Sequence, residues 1–273
     1  MDERAMAKPA ASISIIISTL NAANHLGRCL ESIRNQIVEA QLIIIDGGST
    51  DGTIGIIRAY EKMIHYWISE RDTGIYDAWN KGIRQVTREW VYFLGSDDWF
   101  YSEAVLKNVN DILKGLPEKQ LVAYGKICLL SQLGTERTVG EDWAKIEKRF
   151  RFQMCIPHQA VFHRLALFNN LGYFDSSFRV AGDYAILIRH LLNSPPYFMS
   201  QIIVSFMAMG GVSTQSKHAF RVLLEFGRAS YPYWNLESAL WWFGAFLRSC
   251  IKSMFFWIVP EKVVLKIRSR LQG

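Results

Sequence analysis

The chain has only four cysteines in 273 residues, and Cys29, Cys128, Cys155 and Cys250 stand too far apart to form a metal-ligand spacing. That excludes a zinc finger or ribbon and leaves reduced thiols of a cytosolic protein as the simplest account. A G-x-G-x-x-G fingerprint is missing: Gly47–Gly52 carries Asp51 where a pyrophosphate would sit, which argues against a dinucleotide-binding oxidoreductase. A secretory signal is also lacking. Met1–Ser12 is polar, and the apolar run Ile13–Leu20 leads into Asn21 and Asn24 instead of a small-residue cleavage site, so it reads as a buried strand. Internal repeats, low-complexity tracts and long linkers are absent.

Apolar residues are plentiful. Half the chain is hydrophobic and 13% aromatic, enough for a sizeable core and too much for global disorder. The net charge of +6 comes wholly from the C-terminal end. Residues 217–273 carry Lys217, Arg221, Arg228, Arg248, Lys252, Lys262, Lys266, Arg268 and Arg270 against Glu225, Glu237 and Glu261. A basic segment of this kind meets either nucleic acid or an anionic membrane surface.

Strand and helix patterns alternate through the first half. After the strand at Ile13–Thr19, Leu26, Cys29, Leu30 and Ile33 recur at i, i+3, i+4, i+7, one face of a helix. Gln41–Ile45 is a continuous apolar run, as in a parallel strand covered on both faces. The pattern continues with a helix over Thr53–Met63, N-capped near Ser49 or Asp51. A strand at His65–Ser69, a helix over Ile75–Val86 and a strand at Trp90–Leu94 follow. A helix over Ser102–Leu113 and a strand at Leu121–Ile127 complete the series. The alternation implies right-handed crossovers and a mostly parallel central sheet flanked by helices, an α/β fold. Gly134–Lys148 is polar and reads as a surface excursion. Gln159–Phe162, a helix over Asp183–Leu192 and a strand at Ile202–Met207 restore regularity.

Two of these strands end in acid. One runs Ile43-Ile44-Ile45-Asp46-Gly47-Gly48-Ser49-Thr50-Asp51-Gly52-Thr53, the other Val91-Tyr92-Phe93-Leu94-Gly95-Ser96-Asp97-Asp98-Trp99. Open α/β sheets bind ligands beyond the carboxyl ends of their strands. Carboxylates gathered there repel unless a cation joins them, so the pattern predicts a site for a metal-bound polyphosphate in which residues 46, 97 and 98 share a cleft. Asp46 suits a base or ribose, and Asp97 with Asp98 suits a hard divalent cation that keeps waters and phosphate oxygens. The plainer readings are a tight turn for Ser49 and Asp51 and an acidic N-cap for the 97–98 pair. Asp72 also follows a strand and faces the same rim. Asp77, Asn80 and Lys81 fall at helical spacing, either as a solvated i, i+4 ion pair or as ligand-positioning groups.

With Ser18-Thr19-Leu20-Asn21, Asp46 to Thr53, Asp72 to Gly82 and Gly95-Ser96-Asp97-Asp98 in this order, the chain resembles family 2 glycosyltransferases, inverting enzymes of the GT-A fold. Pro157-His158-Gln159 and Gly182-Asp183-Tyr184 resemble that family's acceptor-side elements, and the likeness covers roughly residues 12–213. The resemblance implies a nucleotide-sugar donor, with Thr19, Asn21, Asp46, Ser49, Asp51, Asp72, Asn80, Lys81, Asp97 and His158 on the donor side. It implies Mn²⁺ or Mg²⁺ held by Asp98 and Asp97, and Asp183 as catalytic base. Ser18 stands where proline is usual, and Gly182 where an acidic residue is common. Asp183 also reads as an N-cap, and His158 as a structural histidine.

Residues 1–216 read as the catalytic domain and 217–273 as a basic, amphipathic helical appendage. Ala239–Val259 is apolar, but Arg248 and Lys252 near its centre each cost about 2.5–3.5 kcal/mol on insertion scales, which disfavours a lone span. Phe243, Leu247, Cys250, Met254, Trp257 and Ile258 lie on the face opposite the two cations, suiting a helix in the membrane interface. Trp234, Trp241, Trp242 and Trp257 suit the headgroup level. Lys262, Lys266, Arg268 and Arg270 add attraction to anionic lipid. Packing on the catalytic domain is the other reading; nucleic acid is disfavoured because Phe255 and Phe256 belong to a bulky apolar set. The expectation is a cytoplasmic enzyme, peripheral on the inner membrane, that glycosylates a saccharide or lipid-linked saccharide of a cell-surface polysaccharide. Its rivals are a nucleotidyltransferase, which wants a glycine- and arginine-rich loop that Ser18–Leu26 lacks, and a non-catalytic membrane-docked nucleotide-sugar binder.

Overall fold

The computed structural model describes residues 10–131, 134–208 and 219–258. Its first four strands are β1 (Ala10–Thr19), β2 (Glu39–Asp46), β3 (Tyr66–Ser69) and β4 (Trp90–Phe93). Of these, β1 and β2 are isoleucine-rich and buried on both faces, β4 is buried and aromatic, and β3 is half-buried. Within β1, Ile13, Ile15 and Ile17 face one hydrophobic layer and Ile16 the other; in β2, Leu42 and Ile44 oppose Ile43 and Ile45 in the same way. Each fully buried isoleucine contributes about 1.5–3 kcal/mol. A shift of one residue in register would exchange the two layers, so both faces specify the pairing.

Helices α1 (Leu26–Arg34), α2 (Thr53–Ala59) and α4 (Val105–Lys114) cover the first layer, with Leu26, Cys29, Leu30, Ile57, Leu106 and Val109 in the core. Helix α3 (Ile75–Ile83) covers the second. It lies close on β1 because residue 82 is glycine: a Cβ there would meet Ile16 Cγ2 at 2.7 Å. Any larger side chain at 82 pushes the helix off the sheet.

Parallel pairing joins β3-β2-β1-β4, as the alternation implies. Beyond β4 the sheet is mixed. β8 (Val161–Arg164) is antiparallel to both β4 and β6 (Val122–Leu130), and β6 is parallel to β9 (Tyr197–Ala208). The short β5 (Trp99–Phe100) pairs antiparallel with β9, and β7 (Glu136–Val139) with β6. All four residues of β8 are buried, so its composition is the same whichever way it runs. Its direction is therefore invisible to hydrophobic patterning.

The segment read as a surface excursion holds real structure. β7 is followed by α5 (Trp143–Phe150), which Asp142 N-caps by accepting from Ala144 N at 2.9 Å. Its buried face of Trp143, Ile146 and Phe150 joins the second layer, while Lys145, Glu147, Lys148 and Arg149 supply the polarity that masked it. Two further helices complete that layer: α6 (Leu165–Leu171) and α7 (Gly182–Leu191).

At the C-terminal end, α8 (Ala219–Ser230) packs on α7 through Phe226 and Tyr184, whose ring centroids are 5.1 Å apart. α9 (Leu236–Ile258) folds back on α8, with Trp242 against Gly227 and Trp241 stacked on Phe152 at 4.6 Å. Trp234 donates from Nε1 to Ser230 Oγ at 2.8 Å. These three tryptophans, expected at a headgroup level, hold the helices to each other and to the domain. The opposite face of α9 stays open: Leu236, Leu240, Phe243 and Leu247 are 77, 64, 63 and 51% exposed. No helix among the described residues is long and apolar enough to cross a membrane. The basic residues 262, 266, 268 and 270 lie outside the described residues, as do the side chains of residues 249–258.

Candidate active site

The two acidic strand ends come out at the same edge of the sheet, on either side of β1, and they differ in what their carboxylates do. At the end of β2, Asp46 is fully buried. Its Oδ1 accepts from Thr19 Oγ1 at 3.1 Å and Ser49 Oγ at 2.5 Å; its Oδ2 accepts from Gly48 N at 3.0 Å, Ser49 N at 2.9 Å and Ser69 Oγ at 2.6 Å. Burial pushes this carboxyl up, but the bonds from Ser49, Ser69 and Thr19 outweigh it and hold it below the usual carboxylate range.

The surrounding loops are laced together. Gly47 N donates to Thr19 O at 2.8 Å, Asn21 N to Ser49 Oγ at 2.8 Å, and Thr50 N to Asn21 Oδ1 at 3.0 Å. Asn21 is the one non-glycine residue with positive φ (51°) among the described residues, a backbone state that asparagine tolerates. The expected N-cap lies one residue off: α2 begins after Gly52, whose side chain cannot cap, and Asp51 instead accepts from Thr53 N at 2.9 Å and from Ala23 N at 3.1 Å. Thr19, Asn21, Ser49 and Asp51 thus form one scaffold about Asp46.

Asp72 stands beside this scaffold. A Cβ on Gly47 would meet its Oδ2 at 2.7 Å, so only glycine leaves room for it there. Burial raises the pKa of its carboxyl above the ordinary value, with the charges of Asp77 and Asp46 adding to the rise and a bond from Gly74 N and the charge of Lys81 opposing it. Lys81 pairs chiefly with Glu70 at 2.8 Å; Asp77, the expected i, i+4 partner, is 3.8 Å away. Asn80 is buried, with Nδ2 donating to Phe174 O at 2.8 Å and Oδ1 accepting from Phe174 N at 3.0 Å. Both ends of its amide are therefore spent on fixing α3 to the 174 segment, where a donor contact was expected.

The end of β4 opens instead into a cleft of about 330 Å³, lined among others by Ser18, Asp97, Asp98, His158, Arg179 and Asp183. Asp97 is exposed and Asp98 nearly buried. Both carboxylates converge over Gly95, where a Cβ would meet Asp98 Oδ2 at 2.5 Å and Asp97 Oδ1 at 3.0 Å. Cys29 lies under the same turn and donates to Gly95 O at 3.5 Å. Burial and then the charges of Asp98 and Asp97 raise its thiol well above the usual range, so it stays protonated. Two carboxylates on one turn suit a hard cation that takes its remaining ligands from water and phosphate. No group of three or more His, Cys, Asp or Glu that could hold a metal ion occurs among the described residues. The expectation that residues 46, 97 and 98 share one cleft is met for 97 and 98; Asp46 sits at the same rim, behind its own donors, and does not line it.

Asp183 enters the cleft from the first turn of α7. Its Oδ1 accepts from Tyr184 N at 2.8 Å and from Tyr76 Oη at 3.1 Å. The N-cap of α7 is Ala181, so capping is not the role of Asp183. Tyr76 Oη also lies 2.7 Å from Val180 O. Burial, and then the charge of Asp183, push this phenol far above its ordinary range, so it remains a donor. Gly182, where an acidic residue is common in the family, is required here: a Cβ would meet the Tyr76 ring at 2.8 Å. Tyr76 is the residue the sequence reading passed over; the one available signal was its position in the Asp72–Gly82 motif.

His158 lines the cleft from below. It stacks on Trp79 at 5.0 Å and lies 5.3 Å from the ring of His163. Burial lowers its basicity, only partly offset by Asp183, and its Nε2 is buried without a hydrogen-bond partner. It is a neutral ring at the base of the cleft.

A mixed α/β sheet with a carboxylate-lined cleft beyond the carboxyl end of a parallel strand fits an α/β protein that binds its ligand at the sheet rim. The comparisons with known proteins agree. The Glycosyl transferase family 2 model matches residues 14–122. A PGL/p-HBAD biosynthesis glycosyltransferase of Mycobacterium bovis is 34% identical over 210 residues, covering 73% of this chain and 78% of the relative. An uncharacterized glycosyltransferase of Mycobacterium tuberculosis is 30% identical over 204 residues, covering 74% and 77%. Among solved structures, Staphylococcus aureus TarS 1-349 in complex with UDP-GlcNAc is similar with a TM-score of 0.62 at 18% identity, over 89% of this chain and 73% of that one. The mannosyltransferase PcManGT from Pyrobaculum calidifontis in complex with GDP-Man and Mn²⁺ gives 0.65 at 13%, over 97% and 83%. The chain belongs to glycosyltransferase family 2 and has the GT-A fold.

Proposed function

We propose that this glycosyltransferase moves a sugar, with inversion, from a nucleotide-diphospho-sugar to a hydroxyl of a saccharide or lipid-linked saccharide in cell-surface polysaccharide biosynthesis. One observation carries the reading: Asp97, Asp98 and Asp183 line a single cleft, two of them on one turn and the third on another element. The similarity to proteins described with UDP-GlcNAc, and with GDP-Man and Mn²⁺, supports the donor class, and the mycobacterial relatives support a place in glycan assembly.

In this reading the rim built by Thr19, Asn21, Asp46, Ser49 and Asp51, with Asp72 and Lys81 beside it, receives the nucleoside. Asp98 and Asp97 would hold a divalent cation, Mn²⁺ or Mg²⁺. What that cation supplies is Lewis-acid neutralisation of the charge gathering on the leaving diphosphate. Asp183 takes the proton of the acceptor hydroxyl as the oxygen attacks the anomeric carbon on the face opposite the diphosphate. Tyr76, held as a donor, fixes the carboxylate so that its other oxygen faces the acceptor. His158 and Trp79 form the apolar base of the cleft.

The exposed apolar face of α9 is assigned to the inner membrane surface, with the enzyme peripheral and cytoplasmic. Lipid-linked acceptors would then lie in the plane of docking. Vesicles of anionic lipid should retain the wild type and release Phe243→Glu; equal retention of both would remove the membrane from the proposal.

The function is tested by thermal-shift screening against UDP-, GDP-, ADP- and TDP-sugars with and without Mn²⁺, followed by nucleotide release. Stabilisation by one donor class that needs the cation, with turnover, is expected. Stabilisation without cation dependence and without turnover would favour the non-catalytic binder.

A further inference from the structure

The helix that follows the catalytic core holds the loop that carries the base. Glu225, on α8, accepts from three successive backbone amides: Arg179 N at 3.0 Å, Val180 N at 2.7 Å and Ala181 N at 3.1 Å. Consecutive N–H groups that point to one spot form a nest for an anion, and charged acceptors make the stronger hydrogen bonds. Here the anion is a side chain 44 to 46 residues away in the chain. Ala181 is the N-cap of α7 and offers no side-chain cap, so Glu225 orders the entry to that helix from outside it.

Everything this loop presents to the cleft comes in the same few residues. Arg179 lines the cleft and packs its guanidinium against Gly74, where a Cβ would meet Nη1 at 2.8 Å. Val180 supplies the carbonyl that faces Tyr76 Oη, and Asp183 the carboxylate that accepts from it. A second link between α8 and the same region lies one turn on. Arg228 pairs with Asp175 at 3.0 Å, bonds Ser177 Oγ and sits over the Phe178 ring at 4.0 Å. The Arg228 link reaches residues 175–178 and the Glu225 link the amides of 179–181.

We propose that Glu225 is a positioning residue, which fixes the 179–181 backbone so that Arg179 and Asp183 keep their places in the cleft. Its effect on turnover rests on the transferase reading; its effect on the loop does not. Misplacing a reacting group by about 1 Å costs up to ~10²-fold in rate, so Glu225→Gln, which keeps size and removes charge, should lower kcat about 10- to 100-fold and leave donor KM within about twofold. Arg228→Ala, which loosens the same helix, should leave kcat near the wild-type value.

The test joins hydrogen exchange to kinetics on the full chain. In Glu225→Gln the amides of 179–181 should exchange at least about tenfold faster, while the last two turns of α7 keep their protection. In Arg228→Ala the 179–181 amides should keep theirs. Unchanged exchange at 179–181 in Glu225→Gln, or equal acceleration in both variants, would overturn the proposal. So would a folded Glu225→Gln with wild-type kcat on the sugar nucleotide that the wild type turns over. Should Glu225→Gln fail to fold, Glu225→Asp, one methylene shorter, carries the same exchange comparison. If the wild type turns over no sugar nucleotide, the donor reading fails alone and the exchange data still decide the role of Glu225.

Discussion

The ends of β2 and β4 share a sequence signature, an apolar run closed by glycine, serine and aspartate, yet they have opposite fates. Asp46 is buried, accepts five hydrogen bonds and braces three segments of chain. Asp97 and Asp98 converge over a glycine at the wall of a cleft that Asp183 also lines. The difference lies in the neighbours. β2 ends beside hydroxyls from Thr19, Ser49 and Ser69, which fill a carboxylate's acceptor sites. β4 ends in a turn that puts one carboxylate beside another. The acid at the end of β2 is held by hydroxyls and amides of its own chain, and the pair at the end of β4 lines the cleft.

Substitutions at the two ends should therefore separate rate from stability. The largest effect belongs to the cleft: Asp183→Asn should lower kcat by ~10²–10⁴-fold with an unchanged melting temperature. A loss below tenfold would move the base elsewhere. Asp98→Asn should abolish cation-dependent turnover, read by nucleotide release in Mn²⁺. Asp46→Asn should act the other way. An amide facing five donors leaves buried groups unpaired, so unfolding should become about 2–4 kcal/mol easier, read by urea titration. If Asp46→Asn folds as well as the wild type and only weakens donor binding, the contrast between the two ends is broken.

Acid titration sharpens the same contrast. The carboxyl of Asp46 is depressed in the folded protein, so its contribution is fully present above the unfolded value of about 3.9 and drains away as pH falls through the lower folded value. The buried rings of His158 and His163 act earlier. Burial lowers both, and the charge of His158 further lowers His163, so the unfolded chain binds protons first. Stability should fall as pH drops below about 6.5. His163→Leu should flatten that upper part of the profile and leave the Asp46 part in place. The smallest effect should be that of Lys107→Ala, which breaks an exposed i, i+4 pair with Asp111 and should cost about 0.5 kcal/mol or less.

The parallel half of the fold was legible because burial on both faces writes itself as continuous apolar runs such as Ile43-Ile44-Ile45. Asp97 and Asp98 were legible from their strand end, and Asp183 only through the resemblance to family 2 glycosyltransferases. The reversal of β8 was not, since direction leaves no trace in a fully buried strand. α5 was hidden by its charged face. The saturation of Asp46 depended on Ser69, and that of Asn80 on the backbone of Phe174, partners that are distant along the chain and invisible to local spacing. Tyr76 and Glu225 share that reason: each matters through a contact with the 180 loop, about a hundred and about forty-five residues away respectively.

A comparison of nucleotide release by wild type, Asp98→Asn and Asp46→Asn, at saturating Mn²⁺ and at a temperature where all three are folded, bears most directly on the division between rim and cleft. Turnover should vanish in Asp98→Asn and persist in Asp46→Asn, which alone should melt earlier. Turnover that survives in Asp98→Asn and disappears from a fully folded Asp46→Asn would contradict the placing of the cation and diphosphate at the end of β4.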